Sequence, residues 1–273
     1  MPADSLPRRL RWHAGLAATA ILLLAPVGIA VLASFKRPND LYDADPLPLH
    51  PTLGNYRVSL GHFPLERLLV NTLVTSTGVM LLQLAVATLA GYAMVRFRGR
   101  LGRVLLLAGT VAVLIPGQAL LVPQFVMITH LGWLNSYQGL IVPQLSGCAV
   151  ALLLLRQHVA AIPDSLGEAA LLDGANSWQA LWHVVLPVLR PALAAVGILV
   201  FINTWNEYLW PLLAAPRLPH STIQLGLALF GNTEGANPGP LLAASTLATL
   251  PVLLGYLFAA RRVTDAFMHS GIR

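Results

Sequence analysis

Amide, carboxylate and indole side chains cluster in an otherwise apolar segment, FINTWNEYLWP, at residues 201–211. At helical spacing Asn203, Asn206 and Glu207 share one face, and Trp210 follows one turn later. Amides and carboxylates form hydrogen bonds with sugar hydroxyls, and the apolar face of a sugar ring stacks on an indole. The residue types therefore suit contact with a sugar.

Three roles stay open for the cluster around Glu207. A carboxylate inside a bilayer costs several kcal/mol unless it faces a cavity or a partner, so Glu207 could contact a solute. It could instead pack at a gate or against a second subunit. In the third role, Glu207 lies near the outer interface, where Tyr208 and Trp210 form part of an aromatic belt.

Few residues of the chain could carry catalysis or hold a cofactor. The sequence has no Walker loop, dinucleotide fingerprint or zinc-type ligand cluster, so we expect it to bind no cofactor itself. Glu207 is the one acidic residue that we place within a membrane segment, and the histidines lie mainly in loops. A membrane-embedded enzyme, which needs a nucleophile–base pair or a metal set, is therefore disfavoured. The single cysteine, Cys148, excludes an intrachain disulfide.

Composition indicates an all-α polytopic membrane protein. The chain has 273 residues, of which 56% are hydrophobic and 10% charged, and its mean hydropathy is +0.69. A soluble domain carries about 25% charged residues. The net charge of +6 could suggest nucleic acid, but the basic residues stand at the ends of apolar runs, as in membrane topology. We therefore expect a lipid bilayer and no nucleic acid as partner.

Six apolar runs are close to the roughly 20 residues that a spanning helix needs. We place them at about 14–34, 68–95, 104–128, 139–155, 188–213 and 240–260. The first run exceeds the core of about 7–15 residues in a signal peptide, which favours an uncleaved helix. Residues 1–67 then form a tail, one helix and a proline-rich external loop with room for an interfacial helix, and 68–273 form a transmembrane domain of five helices.

Polar residues inside two of the spans have alternative interpretations. In the second span, small and hydroxylated residues such as Thr72 and Ser76 favour close helix packing, and a pore-lining role is the alternative. In the third span Pro116, Gly117 and Pro123 stand beside glutamines. Such a break marks either a plain kink or a transport path.

The distribution of Lys and Arg predicts the orientation. With six spans, twelve of these residues fall on one side and five on the other, which accounts for all 17. The positive-inside rule places the richer side, with both termini and the segment 163–187, in the cytoplasm.

The sequence of that segment, residues 163–187, predicts a helix–glycine–helix elbow on the cytoplasmic side. Ser165 and Glu168 have the spacing of a capping box, which predicts a helix start. Gly174 follows Asp173 where a helix end needs a residue that adopts positive φ. Asp173 itself is a local cap or a contact for a partner.

A second short helix is expected after the glycine. Asn176 and Ser177 cap its start, and Trp178, Leu181 and Trp182 form its apolar face. Pro187 ends this helix or begins the next element.

The spacing of the elbow residues resembles the EAA loop of ABC importer permeases, with Val184 where that pattern usually has isoleucine. The residues that carry the resemblance are Glu168, Ala169, Ala170, Gly174, Val184, Leu186 and Pro187. The segment 205–213 is similar to the fifth helix of sugar-type permeases. The likeness covers roughly residues 68–273 and is to the smaller permease subunit of carbohydrate importers of the maltose type.

The resemblance implies a set of partners and a function. In that family the elbow docks on a cytoplasmic ABC ATPase dimer, which uses ATP and Mg²⁺. A second, homologous permease completes the path, and an extracytoplasmic solute-binding protein delivers the solute. The chain is then expected to be a non-enzymatic permease subunit in a bacterial or archaeal inner membrane, for a sugar or oligosaccharide.

Close relatives of this fifth-helix motif serve glycerol 3-phosphate, so uptake of a phosphorylated polyol is the alternative. A binding site for an anionic solute is expected to contain a fixed cation or a helix N-terminus. We place no Lys or Arg in the interior of a span, which favours a neutral sugar.

Overall fold

The computed structural model describes residues 6–37, 47–97, 99–233 and 237–269. Residues 38–46 of the predicted external loop, Arg98 and the last residues of the tail lie outside this part. Every regular element within it is helical, which confirms the all-α prediction. The α-helices are α1 Leu6–Ala33, α2 Gly54–His62, α3 Leu65–Arg96, α4 Arg100–Leu114, α5 Leu121–His130, α6 Tyr137–Ile141, α7 Cys148–Ala160, α8 Asp164–Leu172, α9 Ser177–Ala180, α10 Leu186–Trp205, α11 Leu209–Ala214, α12 Ile223–Thr233 and α13 Gly239–His269.

Five helical stretches of the described chain are long and apolar enough to cross a membrane. They are Arg11–Ala33, Leu65–Arg96, Tyr137–Ala160, Ser177–Trp205 and Gly239–Leu257. The third predicted span is a broken pair, Gly102–Leu114 and Gly117–His130, bent by 97°. Counting this pair as one span gives the six that hydropathy predicts. The break falls at Pro116 and Gly117, as the sequence indicates.

One compact unit comprises residues 1–65 and 227–250. Asn55 of α2 is buried and its Nδ2 donates to the carbonyl oxygens of Ser34 and Lys36, at 2.9 and 2.8 Å. Ser59 Oγ donates to the carbonyl oxygen of Pro240 at 2.6 Å. The helix expected within the external loop therefore exists, and it is anchored by buried polar contacts to the end of α1 and the start of α13.

The second unit comprises residues 66–226 and 251–273, and its core lies where α3, α7 and α10 pack. Ala87, Ala151 and Ala192 are buried there, and such small residues let helix backbones approach closely. A β-carbon at Gly91 would lie 3.2 Å from the backbone nitrogen of Arg156. Close helix packing through the second span is confirmed.

Polar side chains of α3 also join distant segments of the second unit. Thr72 Oγ1 accepts from the backbone N–H of Ile223 at 2.8 Å. Gln83 Nε2 donates to the carbonyl oxygen of Gln144 at 2.7 Å. Polar residues of the second span therefore make hydrogen bonds to other segments as well as packing closely.

Two boundaries differ from the sequence expectation. The fourth span is longer, because α6, a 3₁₀ turn and α7 run on from Tyr137 to Ala160. The segment 214–239, between the last two predicted spans, is rich in Pro, Gly and Asn, a composition that predicts a loop. It contains the helix α12, Ile223–Thr233, whose apolar residues Ile223 and Leu225 are buried.

Candidate functional sites: the elbow and the polar cavity

The first helix of the elbow, α8, begins at Asp164 and follows Pro163. Pro163 is the N-cap residue, and no side chain caps the helix. The predicted Ser165–Glu168 capping box is therefore wrong. Because the helix starts before Ser165, the hydroxyl of that residue lies within the first turn and not at the N-cap. Asp164 instead places a carboxylate in the first turn, where the helix dipole favours negative charge.

Gly174 closes α8 in the predicted left-handed conformation, with φ of +82°. Its N–H donates to the carbonyl oxygen of Leu171 at 3.0 Å, and the N–H of Ala175 donates to that of Ala170 at 2.9 Å. This pair of bonds is the Schellman motif, which satisfies carbonyl groups at a helix end. The turn is therefore a defined structure and not a flexible link.

Asn176 caps the second helix of the elbow as predicted. Its Oδ1 accepts from the N–H of Gln179 at 2.9 Å, and Gln179 Oε1 accepts from the N–H of Asn176 at 2.8 Å. These two bonds form a capping box, made by Asn176 and Gln179.

The second helix is not the separate short helix that we expected. α9 continues through a π-helical turn, Leu181–Val185, into α10, so Ser177–Trp205 is one helical stretch. Pro187 lies in the first turn of α10 and has no N–H to donate to the backbone carbonyl oxygen of His183. Its ring also crowds the carbonyl four residues earlier. The wider π turn accommodates this proline without ending the helix.

The expected apolar face of the second helix divides into a buried and an exposed part. Leu181 is buried in a cluster with Tyr92 and Val159. Trp178 and Trp182, however, are 57% and 52% exposed and stack edge to face at 5.7 Å. The prediction of one shared face is wrong. Trp178 and Leu181 are only about 60° apart around the helix axis, but Leu181 packs against α3 and α7, whereas both indoles are exposed. The two indoles are left on the surface of the chain.

A hydrogen bond ties the elbow to the second span. Tyr92 Oη, near the end of α3, donates to the carbonyl oxygen of Ser177 at 2.9 Å. No sequence signal marked Tyr92, since its partner is a backbone atom 85 residues away.

The structure places the remaining elbow residues as follows. Ala170 is buried, whereas Glu168, Ala169, Asp173 and Gly174 are exposed, and Leu186 and Pro187 are half-buried. Asp173 is the C-cap residue of α8. Glu168 borders a groove of about 510 Å³ together with Tyr92 and Arg96.

The polar cluster in the fifth span is interrupted by a break. α10 ends at Trp205, and α11 begins at Leu209. Pro211 explains the break, because a helix through this region would require its missing N–H to meet the carbonyl oxygen of Glu207. The predicted common face is therefore wrong for Asn206, whereas Asn203 and Glu207 border the same cavity.

Asn206 and Glu207 have local partners at this break. Asn206 is the C-cap residue of α10, and its Nδ2 donates to the carbonyl oxygen of Ile202 at 2.9 Å. Glu207 Oε1 accepts from the N–H groups of Leu209 and Trp210, at 3.0 and 3.2 Å. A carboxylate at the start of α11 also complements the helix dipole.

A cavity of about 400 Å³ in the second unit brings part of the cluster together with glutamines. Trp210 borders it with a buried side chain, and its Nε1 donates to the carbonyl oxygen of Gly139 at 3.1 Å. Asn206 and Tyr208 do not border it. Its polar side chains are Gln83, Gln118, Gln124, Gln144, Ser146, Asn203, Thr204 and Glu207.

Some residues of the cavity were not predicted. Gln118 and Gln124 stand beside the prolines of the broken span, which was a usable signal. Gln83 lies in the second span, whose polar residues the sequence assigns either to helix packing or to a pore, and Gln144 carries no sequence signal. These two meet only because α3 packs on the segment that precedes α7.

Membrane-length helices around a polar cavity, with an exposed elbow at the end of a spanning helix, define a polytopic membrane transport subunit. The chain belongs to the family described as the binding-protein-dependent transport system inner membrane component, whose model matches residues 83–265. That range contains both the elbow and the cavity.

Relatives agree with this family, and a solved structure has the same fold. The chain is 32% identical over 278 residues to the trehalose/maltose transport system permease protein MalG of Thermococcus litoralis, covering 99% of each. It is 29% identical over 260 residues to the sn-glycerol-3-phosphate transport system permease protein UgpE of Yersinia pestis, covering 91% of this chain and 92% of that one. A crystal structure of a bacterial ABC transporter that imports alginate has the same fold, with a TM-score of 0.79 at 24% identity over 96% of this chain and 99% of that one.

Proposed function

We propose that the chain is the permease subunit of an ATP-driven, binding-protein-dependent importer for a neutral sugar or oligosaccharide. The observation that carries this proposal is the continuity of one helical stretch, Ser177–Trp205. It starts at the capped elbow, and Val196, Val200 and Asn203 on it border the cavity. At 1.5 Å per residue it is about 40 Å long.

The continuity gives the elbow a mechanical role. The Schellman turn at Gly174 and the capping box at Asn176 hold α8 and α9 in one arrangement. A displacement of the elbow is therefore passed to α10 as a rigid-body step and not absorbed by a loop. Movement of α10 changes the cavity wall, which is the coupling that alternating access needs.

The proposed partner at the elbow is a cytoplasmic ATPase dimer. Glu168, Leu172, Trp178 and Trp182 offer an exposed carboxylate and three exposed apolar side chains, of which Leu172 is 89% exposed. Aromatic side chains are enriched among residues that dominate protein interfaces. In this proposal ATP and Mg²⁺ belong to the partner, and the permease chain binds no cofactor and catalyses no reaction alone.

The other partners follow from the family and from the charge pattern. A second, homologous permease completes the path, and a solute-binding protein docks on the outer face. The positive-inside count supports an orientation with both termini and the elbow in the cytoplasm.

The cavity lining supports a neutral solute. No Lys or Arg is among the described residues that border it, while Glu207 does. An anionic solute would meet a carboxylate and no fixed cation. The relative named for trehalose and maltose fits this choice. The relative named for sn-glycerol 3-phosphate keeps that solute as the second candidate.

Co-purification tests the proposal. We would express the chain with its genomic neighbours, recover it by a C-terminal tag and identify the bound proteins. We expect an ATPase and a second permease, and we expect Gly174→Pro to weaken retention of the ATPase while Gly167→Ala does not. A chain that is recovered alone and stable would overturn the importer assignment.

A further inference from the structure

Three glutamines in the cavity wall donate hydrogen bonds from their side-chain NH₂ groups to backbone carbonyl oxygens. Gln83 Nε2 donates to the carbonyl oxygen of Gln144 at 2.7 Å, and Gln144 Nε2 donates to that of Leu140 at 2.9 Å. Gln124 Nε2 donates to the carbonyl oxygen of Pro143 at 3.1 Å and to Ser146 Oγ at 2.7 Å.

These contacts determine which way each amide points. A backbone carbonyl only accepts hydrogen bonds, so the atom facing it must be the NH₂ nitrogen and not the amide oxygen. The Oε1 atoms of Gln83, Gln124 and Gln144 are then the atoms left over. Within the described part of the chain these oxygens have no hydrogen-bond partner.

Glu207 adds a further acceptor to the same wall. Its Oε1 is held by the N–H groups at the start of α11, so the carboxylate cannot rotate freely. No hydrogen bond to its Oε2 is found among the described residues. Three amide oxygens and one carboxylate oxygen thus make the wall rich in acceptors whose orientation the backbone maintains.

Such a wall distinguishes between classes of solute. A sugar hydroxyl donates a hydrogen bond, whereas an ionised phosphate or carboxylate offers only acceptor oxygens and negative charge. Apolar side chains such as Leu121, Leu154 and Val200 border the rest of the cavity and suit the C–H face of a sugar ring. The volume of about 400 Å³ lies in the range of small-molecule sites, roughly 300–1,000 Å³.

We propose that Gln83, Gln124, Gln144 and Glu207 form a subsite that accepts hydrogen bonds from the hydroxyls of a passing carbohydrate and rejects anionic solutes. The proposal rests on the proposed function, because it requires that the solute pass this wall. It assigns part of the selectivity to the permease and not only to the binding protein.

Thiol protection in the assembled importer tests the subsite without the binding protein. Cys148→Ala removes the single native thiol, and Val150→Cys places a reporter on an exposed position of the cavity lining. The rate of reaction with a small thiol reagent is measured in vesicles with increasing trehalose or sn-glycerol 3-phosphate. We expect trehalose to protect at a concentration at least about tenfold lower than glycerol 3-phosphate does. The reason is that a buried hydrogen-bonding group left without a partner lowers the affinity by about that factor or more.

A substitution that places a positive charge in the cavity provides a second test of the subsite. Gln118 borders the cavity, is exposed and makes no side-chain hydrogen bond in the structure, so Gln118→Lys should fold normally. We expect this variant to gain protection by glycerol 3-phosphate. Gln138→Lys, an exposed position outside the cavity lining, is the matched control and should leave both protection curves unchanged.

The outcomes separate the subsite from the importer assignment. Equal protection by both solutes, protection by neither, or no effect of Gln118→Lys would overturn the subsite. Sugar uptake coupled to ATP hydrolysis, measured with binding protein in the same vesicles, tests the importer assignment independently. Coupled sugar uptake with an unprotected thiol would leave the importer in place and remove only the subsite.

Discussion

Substitution of Gly174 tests whether the elbow must keep its turned conformation for uptake to be coupled to ATP hydrolysis. The φ angle at Gly174 is +82°, and its N–H is bonded to the carbonyl oxygen of Leu171. A β-carbon built at Gly174 meets no atom within 4 Å. The effect of Gly174→Ala therefore arises from backbone conformation and not from a steric clash.

The energetic cost of the left-handed backbone conformation gives the expected magnitude of the effect of Gly174→Ala. An L-residue in the left-handed region costs roughly 1–2 kcal/mol. If that cost falls on the turned elbow, its population relative to opened forms decreases by a factor of about 5–30. Gly174→Asn should cost less, because asparagine tolerates this conformation. Gly174→Pro should cost most, because proline holds φ near −65° and has no N–H for Leu171.

The assay is coupled transport in proteoliposomes that contain the chain, its partner subunits and the binding protein. ATP hydrolysed and solute taken up are measured together. We expect uptake per ATP to fall in the order Gly, Asn, Ala, Pro, with insertion of the chain into the membrane unchanged. Full coupled uptake by Gly174→Pro would refute the role of the elbow.

Gly167 provides the matched control for added volume. It lies inside α8, on the same helix, and a β-carbon there also meets nothing within 4 Å. Its φ is not in the positive range, so Gly167→Ala should be neutral or should stabilise the helix by up to about 1 kcal/mol. An equal loss of coupling in Gly167→Ala and Gly174→Ala would show that an added methyl group, and not the backbone conformation, causes the defect.

Three further predictions concern the contacts of the two sites. Tyr92→Phe keeps the ring but removes the hydrogen bond to Ser177, which should weaken the attachment of the elbow to α3 by about 1 kcal/mol. We expect lower uptake per ATP in a complex that still assembles. Trp178→Ala with Trp182→Ala removes exposed indoles, so pull-down should recover less ATPase while thermal stability of the chain stays nearly unchanged. Glu207→Gln keeps the Oε1 acceptor of α11 and removes the charge, so transport should change more than assembly, whereas Glu207→Ala should also lower thermal stability by about 1 kcal/mol.

Each of these predictions has a contrary result. Wild-type coupling in Tyr92→Phe would mean that the bond to Ser177 does not position the elbow. Undiminished recovery of ATPase with both indoles removed would exclude them from the docking surface. Loss of the complex in Glu207→Gln would favour packing against the second permease over contact with solute.

The sequence predicted those features that depend on neighbours along the chain. Hydropathy located the spans, because length and apolar composition are local properties. Pro116 and Gly117 predicted the break in the third span, and Gly174 predicted the positive φ that ends α8. Asn176 predicted a cap, because its partner Gln179 is three residues away.

Other features were decided by the tertiary structure. Periodicity placed Asn203, Asn206 and Glu207 on one face, but Pro211 prevents a helix through that region. Periodicity also could not distinguish the buried Leu181 from the exposed indoles beside it, because burial depends on how α9 packs against α3 and α7.

The polar cavity depends on tertiary structure most of all. Gln83 and Gln144 are 61 residues apart in the chain, and each glutamine alone is an ordinary polar residue. Packing gives each amide a backbone carbonyl as partner, and that partner decides that an oxygen and not an NH₂ group is left over in the cavity wall. The sequence thus predicted a membrane subunit with a helix–glycine–helix elbow, while the orientation of the groups around the cavity came only from the packing of its helices.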